Sequence, residues 1–172
     1  IEIGDITDSH SVIRILGDNC LTDPYLMDLV IESHIMQDAD YSTMEFLPRG
    51  TTTQIIKLKA LKKLYKNMDP NESQYLTLYI NDPEMFNINY IRPPDELIKP
   101  FLNFSVDDKK NFNEVKQLIE SIGHKKKLIK YINLAEQMQI CQIDKNAKIK
   151  IGKGKTMTYK QHLDWKRLQL LP

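Results

Sequence analysis

The sequence predicts a mainly α fold with a small β element, in which about six helices surround a single core. Helix-start signals, such as Asp23-Pro24 and Pro94-Asp95, recur along the chain. Apolar residues follow helical spacing after several of them. At 172 residues, with 41% hydrophobic and 27% charged content, the chain can bury a core without disulfides or a structural metal. We expect residues 1–172 to form one globular domain, part of a larger protein, with a weak division near 81–94.

The first 22 residues predict a short strand or helix that ends in a turn. Apolar-rich runs cover 1–6 and 11–16, and Gly17-Asp18-Asn19 interrupts them. Asp23 can cap free amides and Pro24 suits a first helical turn, so a helix to about Asp40 should follow. Its expected inner face consists of Leu26, Leu29, Val30 and Ile35. Residues 41–50 are typical of a loop.

The clearest amphipathic segment covers residues 54–67. Thr51, Thr52 and Thr53 offer hydroxyl caps for a helix there. Its expected apolar stripe is Ile55, Leu58, Leu61 and Tyr65.

The middle of the chain is rich in Asn and Pro and predicts extended structure. Residues 75–80 favour a short helix over a strand, and 81–94 favour a connector with a strand at 86–91. A short helix is expected from Asp95 until Pro100 disturbs it.

The last third predicts a helical hairpin, a strand and a final helix. Ser105 and Asp108 resemble a capping box ahead of an apolar stripe from Phe112 to Ile122, which Gly123 ends. A helix over 126–138 should pack against it. The alternation in 147–151 favours a strand, and a turn over Gly152–Gly154 should follow it. Thr158 should cap a last helix to Leu170, with an inner face of Leu163, Leu168 and Leu171.

Acidic and basic residues are separated along the chain. Residues 1–48 contain ten acids and a single base, Arg14, whereas 49–67 contain six bases and no acid. Residues 145–172 contain eight bases and one acid, Asp164. The net charge of +1 conceals this separation.

Three basic clusters are the candidate binding residues. They lie in the lysine-rich helix 54–67, between the two helices of the hairpin, and in the C-terminal segment. Such cations could neutralise the phosphates of a nucleic acid or meet an acidic protein surface. The alternative is that they are solvated faces paired with the acidic front within the fold. The candidates are Lys57, Lys59, Lys62, Lys63, Lys66, Lys125, Lys126, Lys127, Lys153, Lys155, Lys166 and Arg167.

Motifs for enzyme chemistry are weak, so we predict no catalytic residue, no metal ligand and no cofactor. The run 151–156 ends in Gly-Lys-Thr, but position 149 is Ile where a phosphate-binding loop needs Gly. His34 and Asp38 alone make a poor metal site. Asp107-Asp108-Lys109 fits a nuclease triplet literally but is better explained by helix capping. None of the four histidines belongs to a recognisable nucleophile motif.

Cysteine usage and hydropathy favour an intracellular protein, cytoplasmic or nuclear. The two cysteines, Cys20 and Cys141, are too few for a disulfide framework. No apolar stretch approaches the ~18 residues of a membrane span, and the polar start is not a signal peptide.

The sequence therefore favours a non-enzymatic binding module of a nucleic-acid-handling assembly, in which other protein subunits take part. The alternative is an assembly domain that joins acidic and basic surfaces. A metal-dependent nuclease is the third and weakest hypothesis.

Overall fold

The computed structural model describes residues 1–68, 76–150 and 156–170 of the chain. The α-helices are α1 Glu2–Ile6, α2 Pro24–Met36, α3 Leu58–Asn67, α4 Leu76–Ile80, α5 Lys109–Ile122, α6 Leu128–Met138 and α7 Tyr159–Leu170. A short 3-10 helix covers Asp95–Leu97. The strands are β1 Ser11–Arg14, β2 Tyr41–Met44, β3 Gln54–Lys57, β4 Ile88–Ile91, β5 Lys148–Lys150 and β6 Thr156–Thr158.

A four-stranded mixed sheet forms the centre, in the order β1-β3-β2-β4. β3 is antiparallel to both β1 and β2, and β2 is parallel to β4. β1, β2 and β4 therefore run in the same direction, and their carboxyl ends meet at one edge of the sheet. We call this the carboxyl edge, formed by the loops after Arg14, Met44 and Ile91, and the opposite end the amino edge. β5 and β6 form a separate antiparallel pair.

The predicted mainly α class is wrong, because the protein is α/β with a mixed sheet. The segment 41–50, expected to be a loop, contains β2, and the predicted helix 54–67 begins with β3. All four residues of β2 are buried, so the strand lacks the alternation of polar and apolar residues that signals a half-exposed strand. β3 runs directly into α3, which made its apolar residues look like the first turn of the helix.

Helices pack on both faces of the sheet. Neighbouring residues of β3 point to opposite faces, so each packs in a different core cluster. Ile55 belongs to a core cluster that also includes Val30, Leu118 and Ile132 from α2, α5 and α6. Ile56, the next residue, packs in a second cluster. That cluster contains Tyr41, Ile56, Ala60, Leu64, Ile80 and Phe86.

The predicted start of α2 is confirmed and its inner face is partly corrected. Pro24 is the first helical residue, and the Asp23 carboxylate accepts a hydrogen bond from the Tyr25 amide at 2.9 Å. Leu26 and Val30 are buried as expected, but the next buried residue is His34, four positions on. Ile35, predicted to be buried, is 70% exposed.

The helical hairpin is confirmed, with one change of cap. Asp108 caps α5 by accepting a hydrogen bond from the Asn111 amide at 2.8 Å, and Gly123 ends the helix with a φ of 80°. Ser105, predicted to share the capping, lies outside the helix and contacts Asp18 instead.

The remaining expectations are confirmed in part. The predicted helix at 75–80 and strand at 86–91 correspond to α4 and β4. Thr158 accepts a hydrogen bond from the Gln161 amide at the start of α7. Leu163 is buried, but Leu168 is 74% exposed. Leu171 and the predicted turn over Gly152–Gly154 lie outside the described residues.

In the parts of the chain that the structure describes, no helix has the length and apolar character to cross a membrane. The expectation that residues 1–172 form a single domain, with a weak division near 81–94, stays a prediction.

Candidate active site at the carboxyl edge

A buried carboxylate oxygen of Asp18 lies in the loop that follows β1. The Val106 amide donates to the Asp18 carbonyl at 3.0 Å, and the Ser105 hydroxyl donates to Asp18 Oδ2 at 3.1 Å. The other oxygen, Oδ1, is shielded from solvent and has no hydrogen-bond partner within the described residues. A buried polar atom without a partner costs about 1–3 kcal/mol. Such an atom calls for an explanation, and a bound ion is one of the usual ones.

Asp107 supplies a second carboxylate. It comes directly after Ser105 and Val106 in the sequence, the two residues that bond to Asp18. Its Oδ2 lies 3.0 Å from Nη2 of Arg49. The two side chains are 41% and 55% exposed, so this ion pair faces solvent and is open to exchange. The carboxyl edge thus holds the shielded Oδ1 of Asp18 and the exposed carboxylate of Asp107, the residue next to the Val106 that bonds to the Asp18 carbonyl.

A close backbone approach at Gly50 holds Arg49 in this position. The Arg49 amide donates to the Leu102 carbonyl at 2.9 Å, and the Phe104 amide donates to the Arg49 carbonyl at 2.7 Å. A Cβ on Gly50 would lie 2.3 Å from the Ser105 nitrogen, and Gly50 has a φ of +83°. Only glycine permits this approach without strain.

α7 packs against the same edge through Glu45, the residue after β2. Lys166 Nζ donates to Glu45 Oε2 at 2.7 Å, and their side chains are only 18% and 14% exposed. Tyr159 donates from its hydroxyl to the Pro100 carbonyl at 2.9 Å. Burial raises the pKa of Tyr159 to about 12, so it remains a neutral donor at physiological pH.

His162 on α7 supplies a second shielded polar atom without a partner. Its Nδ1 is buried and makes no hydrogen bond within the described residues. The ring stacks on Trp165, with centroids 6.0 Å apart and 23° between the planes. Burial, and then the charge of Lys166, lower the pKa of His162, so the imidazole is neutral at pH 7.

The donor set suits Mg²⁺. Among the described residues no group of three or more His, Cys, Asp or Glu side chains could hold a metal, which argues against a protein-only cage of the zinc type. Mg²⁺ instead takes one or two carboxylates and completes its shell with water and substrate phosphates. The unpaired Oδ1 of Asp18 and the exposed carboxylate of Asp107 match that requirement.

The lysines predicted in helix 54–67 lie at the amino edge, away from these carboxylates. They line a groove of about 790 Å³ together with Asp38, Asp40 and Asn87. Lys57 pairs with Asp38 at 2.6 Å, and Lys62 pairs with Asp5. Two of these lysines are therefore neutralised by the acidic front, as the alternative interpretation expected. The groove lysines are Lys57, Lys59, Lys62, Lys63 and Lys66.

The other basic candidates divide between two places. Lys125, Lys126 and Lys127 are exposed between α5 and α6. Lys166 lies at the carboxyl edge, and the Arg167 guanidinium lies over the Phe46 ring, 5.8 Å from its centroid. Lys153 and Lys155 lie outside the described residues. Their role in binding stays a prediction, as does the expectation of further protein subunits.

His34 serves the core rather than a site with Asp38. Its Nδ1 is hydrogen-bonded to the Ser42 hydroxyl at 2.8 Å and its Nε2 to the Ser11 hydroxyl at 3.1 Å. Burial is the main cause that lowers the pKa of His34. The Asp38 carboxylate points to Lys57 instead.

Sequence reasoning missed Asp18, Glu45 and the role of Asp107. Asp18 was interpreted only as a turn residue and Asp107 as part of a capping signal. A usable signal existed, because Asp18 follows the β-branched run Val12-Ile13 within a few residues. A strand assigned there would have placed Asp18 at a strand's carboxyl end, where ligands bind in α/β sheets.

Fold and site together define an α/β protein whose carboxyl edge carries a shielded carboxylate oxygen without a partner and a solvent-facing Arg49–Asp107 pair. No family model matches the chain. It is 26% identical over 117 residues to the spore coat polysaccharide biosynthesis protein SpsF of Bacillus subtilis, covering 66% of this chain and 49% of that protein. It is 28% identical over 141 residues to an uncharacterized protein of Methanocaldococcus jannaschii, covering 81% and 55%. The chain therefore spans about half the length of these curated relatives.

A solved structure shares the fold. It is a cytidylyltransferase from Leptospira borgpetersenii, which superposes with a TM-score of 0.71 at 19% identity over 83% of this chain and 63% of that one. Together with the similarity to SpsF, this likeness contradicts the predicted nucleic-acid-binding module, its assembly-domain alternative and the nuclease hypothesis. The first two hypotheses depended on the charge of surface residues, and the third on a local triplet, Asp107-Asp108-Lys109; neither kind of signal identifies the chemistry of a site.

Proposed function

We propose that the carboxyl edge is part of a nucleotidyl-transfer site, in an enzyme that transfers CMP from CTP to a sugar for polysaccharide synthesis. The observation that carries the proposal is Asp18 Oδ1, a shielded carboxylate oxygen without a partner at the sheet edge where α/β proteins bind ligands. The fold shared with a cytidylyltransferase and the similarity to a polysaccharide biosynthesis protein support the choice of reaction.

In such a reaction an oxygen of the acceptor attacks the α-phosphorus of CTP. The bond from that phosphorus to the bridging oxygen of the β-phosphate breaks, and pyrophosphate leaves. Asp18 and Asp107 would hold Mg²⁺, which when bound neutralises charge on the phosphates. The Ser105 hydroxyl orients Asp18 by donating to Oδ2, which leaves Oδ1 for the cation.

Arg49 would meet phosphate oxygens at this edge. Its guanidinium is 55% exposed and presents several N–H donors, a geometry that suits phosphate. Its partner Asp107 would be drawn toward the cation when Mg²⁺ and nucleotide bind. Arg49 would then exchange a carboxylate for a phosphate at little cost, because an exposed ion pair contributes only about 0–1 kcal/mol.

The proposal concerns the contribution of this chain, which spans about half of its curated relatives. We assign no residue of this chain to binding of the cytosine base. An intracellular location is part of the same proposal, because CTP is an intracellular metabolite.

The test is to replace Asp18 and measure both ion binding and reaction. Mn²⁺ stands in for Mg²⁺, and its binding is followed by electron paramagnetic resonance in the presence of CTP. Asp18→Asn should weaken Mn²⁺ binding by more than about tenfold, which is ~1.4 kcal/mol. Pyrophosphate release from CTP with a sugar phosphate should fall at least as far. Asp28→Asn, at an exposed position on α2, is the matched control and should change neither.

Equal Mn²⁺ affinity in Asp18→Asn and the wild type would remove Asp18 from the proposed site. An absence of CTP-dependent Mn²⁺ binding in the wild-type chain would overturn the proposed function itself.

A further inference from the structure

Two buried side-chain polar atoms lack a hydrogen-bond partner in the described part of the chain, Asp18 Oδ1 and His162 Nδ1. The proposed transfer site uses the first and leaves the second unexplained. A buried ring nitrogen without a partner is unfavourable, and this cost is removed when a ligand completes the bond. Both atoms belong to elements that pack at the carboxyl edge, so the second atom points to a neighbouring subsite.

A flat aromatic surface adjoins this nitrogen. Trp165 is 42% exposed although its ring stacks on His162. Its exposed part is large and apolar, and it lies beside a neutral imidazole. An apolar ring face with one polar atom at its border is the usual composition of a site for a small polar ligand.

α7, which carries this surface, is attached to the carboxyl edge at two points. The shielded pair between Lys166 and Glu45 attaches the helix to the end of β2. Tyr159 attaches its first turn to Pro100.

We propose that Trp165 and His162 form the subsite for the pyranose ring of the acceptor sugar. This inference rests on the proposed function, because it takes the acceptor to be a sugar. The C–H face of a pyranose stacks on the exposed indole, and a ring hydroxyl bonds to Nδ1 of His162. That hydroxyl satisfies the nitrogen that the protein leaves without a partner. Stacking on a rigid aromatic ring also orients the sugar at small entropic cost.

Binding of simple sugars without CTP tests the subsite separately from the reaction. The probes are D-glucose 1-phosphate and methyl α-D-glucopyranoside, observed by saturation-transfer-difference NMR. Wild-type protein should saturate the ring protons of both probes. Trp165→Ala should weaken binding by about tenfold or more, whereas Trp165→Phe, which keeps an aromatic face, should stay within about threefold of wild type. His162→Leu should retain stacking and lose affinity.

Tyr65→Ala is the matched control, because Tyr65 is a comparably exposed aromatic residue, at 63%, on α3. It should bind both probes as the wild type does. Circular dichroism confirms that each variant folds.

Equal binding by Trp165→Ala and wild type, or no saturation of either probe by the wild type, would overturn the subsite. Neither result depends on CTP or Mn²⁺. Failure of the subsite is therefore distinguishable from failure of the proposed function, which is decided by CTP-dependent Mn²⁺ binding. Loss of binding in Tyr65→Ala would place the sugar at the amino edge and would also overturn the inference.

Discussion

Gly50 is the residue whose replacement tests the architecture of the site most directly. It lies where the backbone of the segment after β2 meets Ser105, next to the Arg49 that pairs with Asp107. An added Cβ would lie 2.3 Å from the Ser105 nitrogen and 2.7 Å from the Phe104 carbonyl carbon. These neighbours are backbone atoms that cannot rotate away, so Gly50→Ala must push the two segments apart.

The expected loss of stability has two parts. Alanine at a φ of +83° costs about 1–2 kcal/mol relative to glycine. Overpacking against fixed backbone adds about 1–3 kcal/mol. The free energy of unfolding should therefore fall by about 2–5 kcal/mol, which for a chain of this size lowers the melting temperature by roughly 4–20 °C.

Urea denaturation followed by circular dichroism measures the change, with Gly17→Ala as the control. Gly17 has no heavy atom within 4 Å of an added Cβ. Gly17→Ala should therefore change stability by less than about 1 kcal/mol. The urea midpoint should shift in Gly50→Ala without a change in slope, since the same surface is exposed on unfolding. A Gly50→Ala variant as stable as Gly17→Ala would refute the close approach and the placement of Arg49 built on it.

Two further predictions concern titration and thiol reactivity. Burial lowers the pKa of His162 below the value of about 6.5 that it has in the unfolded chain. As the pH falls below 6.5, the unfolded chain binds a proton that the folded protein does not. The free energy of unfolding should therefore be highest above pH 6.5 and fall as the pH drops toward the folded pKa. Trp165, the single tryptophan, reports the protonation by fluorescence quenching with a midpoint below 6.5; an unchanged titration in His162→Gln would assign it elsewhere. Ellman's reagent should label exposed Cys20 in the native protein but not buried Cys141, whose pKa burial raises to about 12. Two labelled thiols before unfolding would contradict the burial of Cys141.

Local signals in the sequence predicted the helices well and the sheet poorly. Asp23, Asp108 and Thr158 act at short range on the amides of the next few residues, so a short window suffices to recognise them. The strands β2 and β3 are defined by pairing with residues far away in sequence. Tyr41 pairs with both Ile56 and Ile88, and no local pattern carries that information.

The candidate site was not predicted from the sequence, because it too depends on contacts between residues far apart in the chain. Asp18 and Ser105 are 87 positions apart, and their hydrogen bond exists only because β1 and the segment before α5 meet at the carboxyl edge. Lysine clusters attracted the functional interpretation because they are contiguous in sequence. Composition does not show which carboxylate the fold will shield from solvent and leave without a hydrogen-bond partner.

The acidic front has two different roles once the sheet is in place. At the amino edge its carboxylates meet cations of the chain, Asp38 with Lys57 and Asp5 with Lys62, and the charges cancel. At the carboxyl edge the Asp18 carboxylate accepts a hydrogen bond from the Ser105 hydroxyl and pairs with no cation among the described residues. Its shielded Oδ1 has no partner among the described residues, and a bound ion is one of the usual reasons for such an atom. Ion pairs within the fold therefore use carboxylates of the acidic front at both edges, including Glu45 with Lys166, and leave Asp18 as the carboxylate that Mg²⁺ would complete in the proposed site.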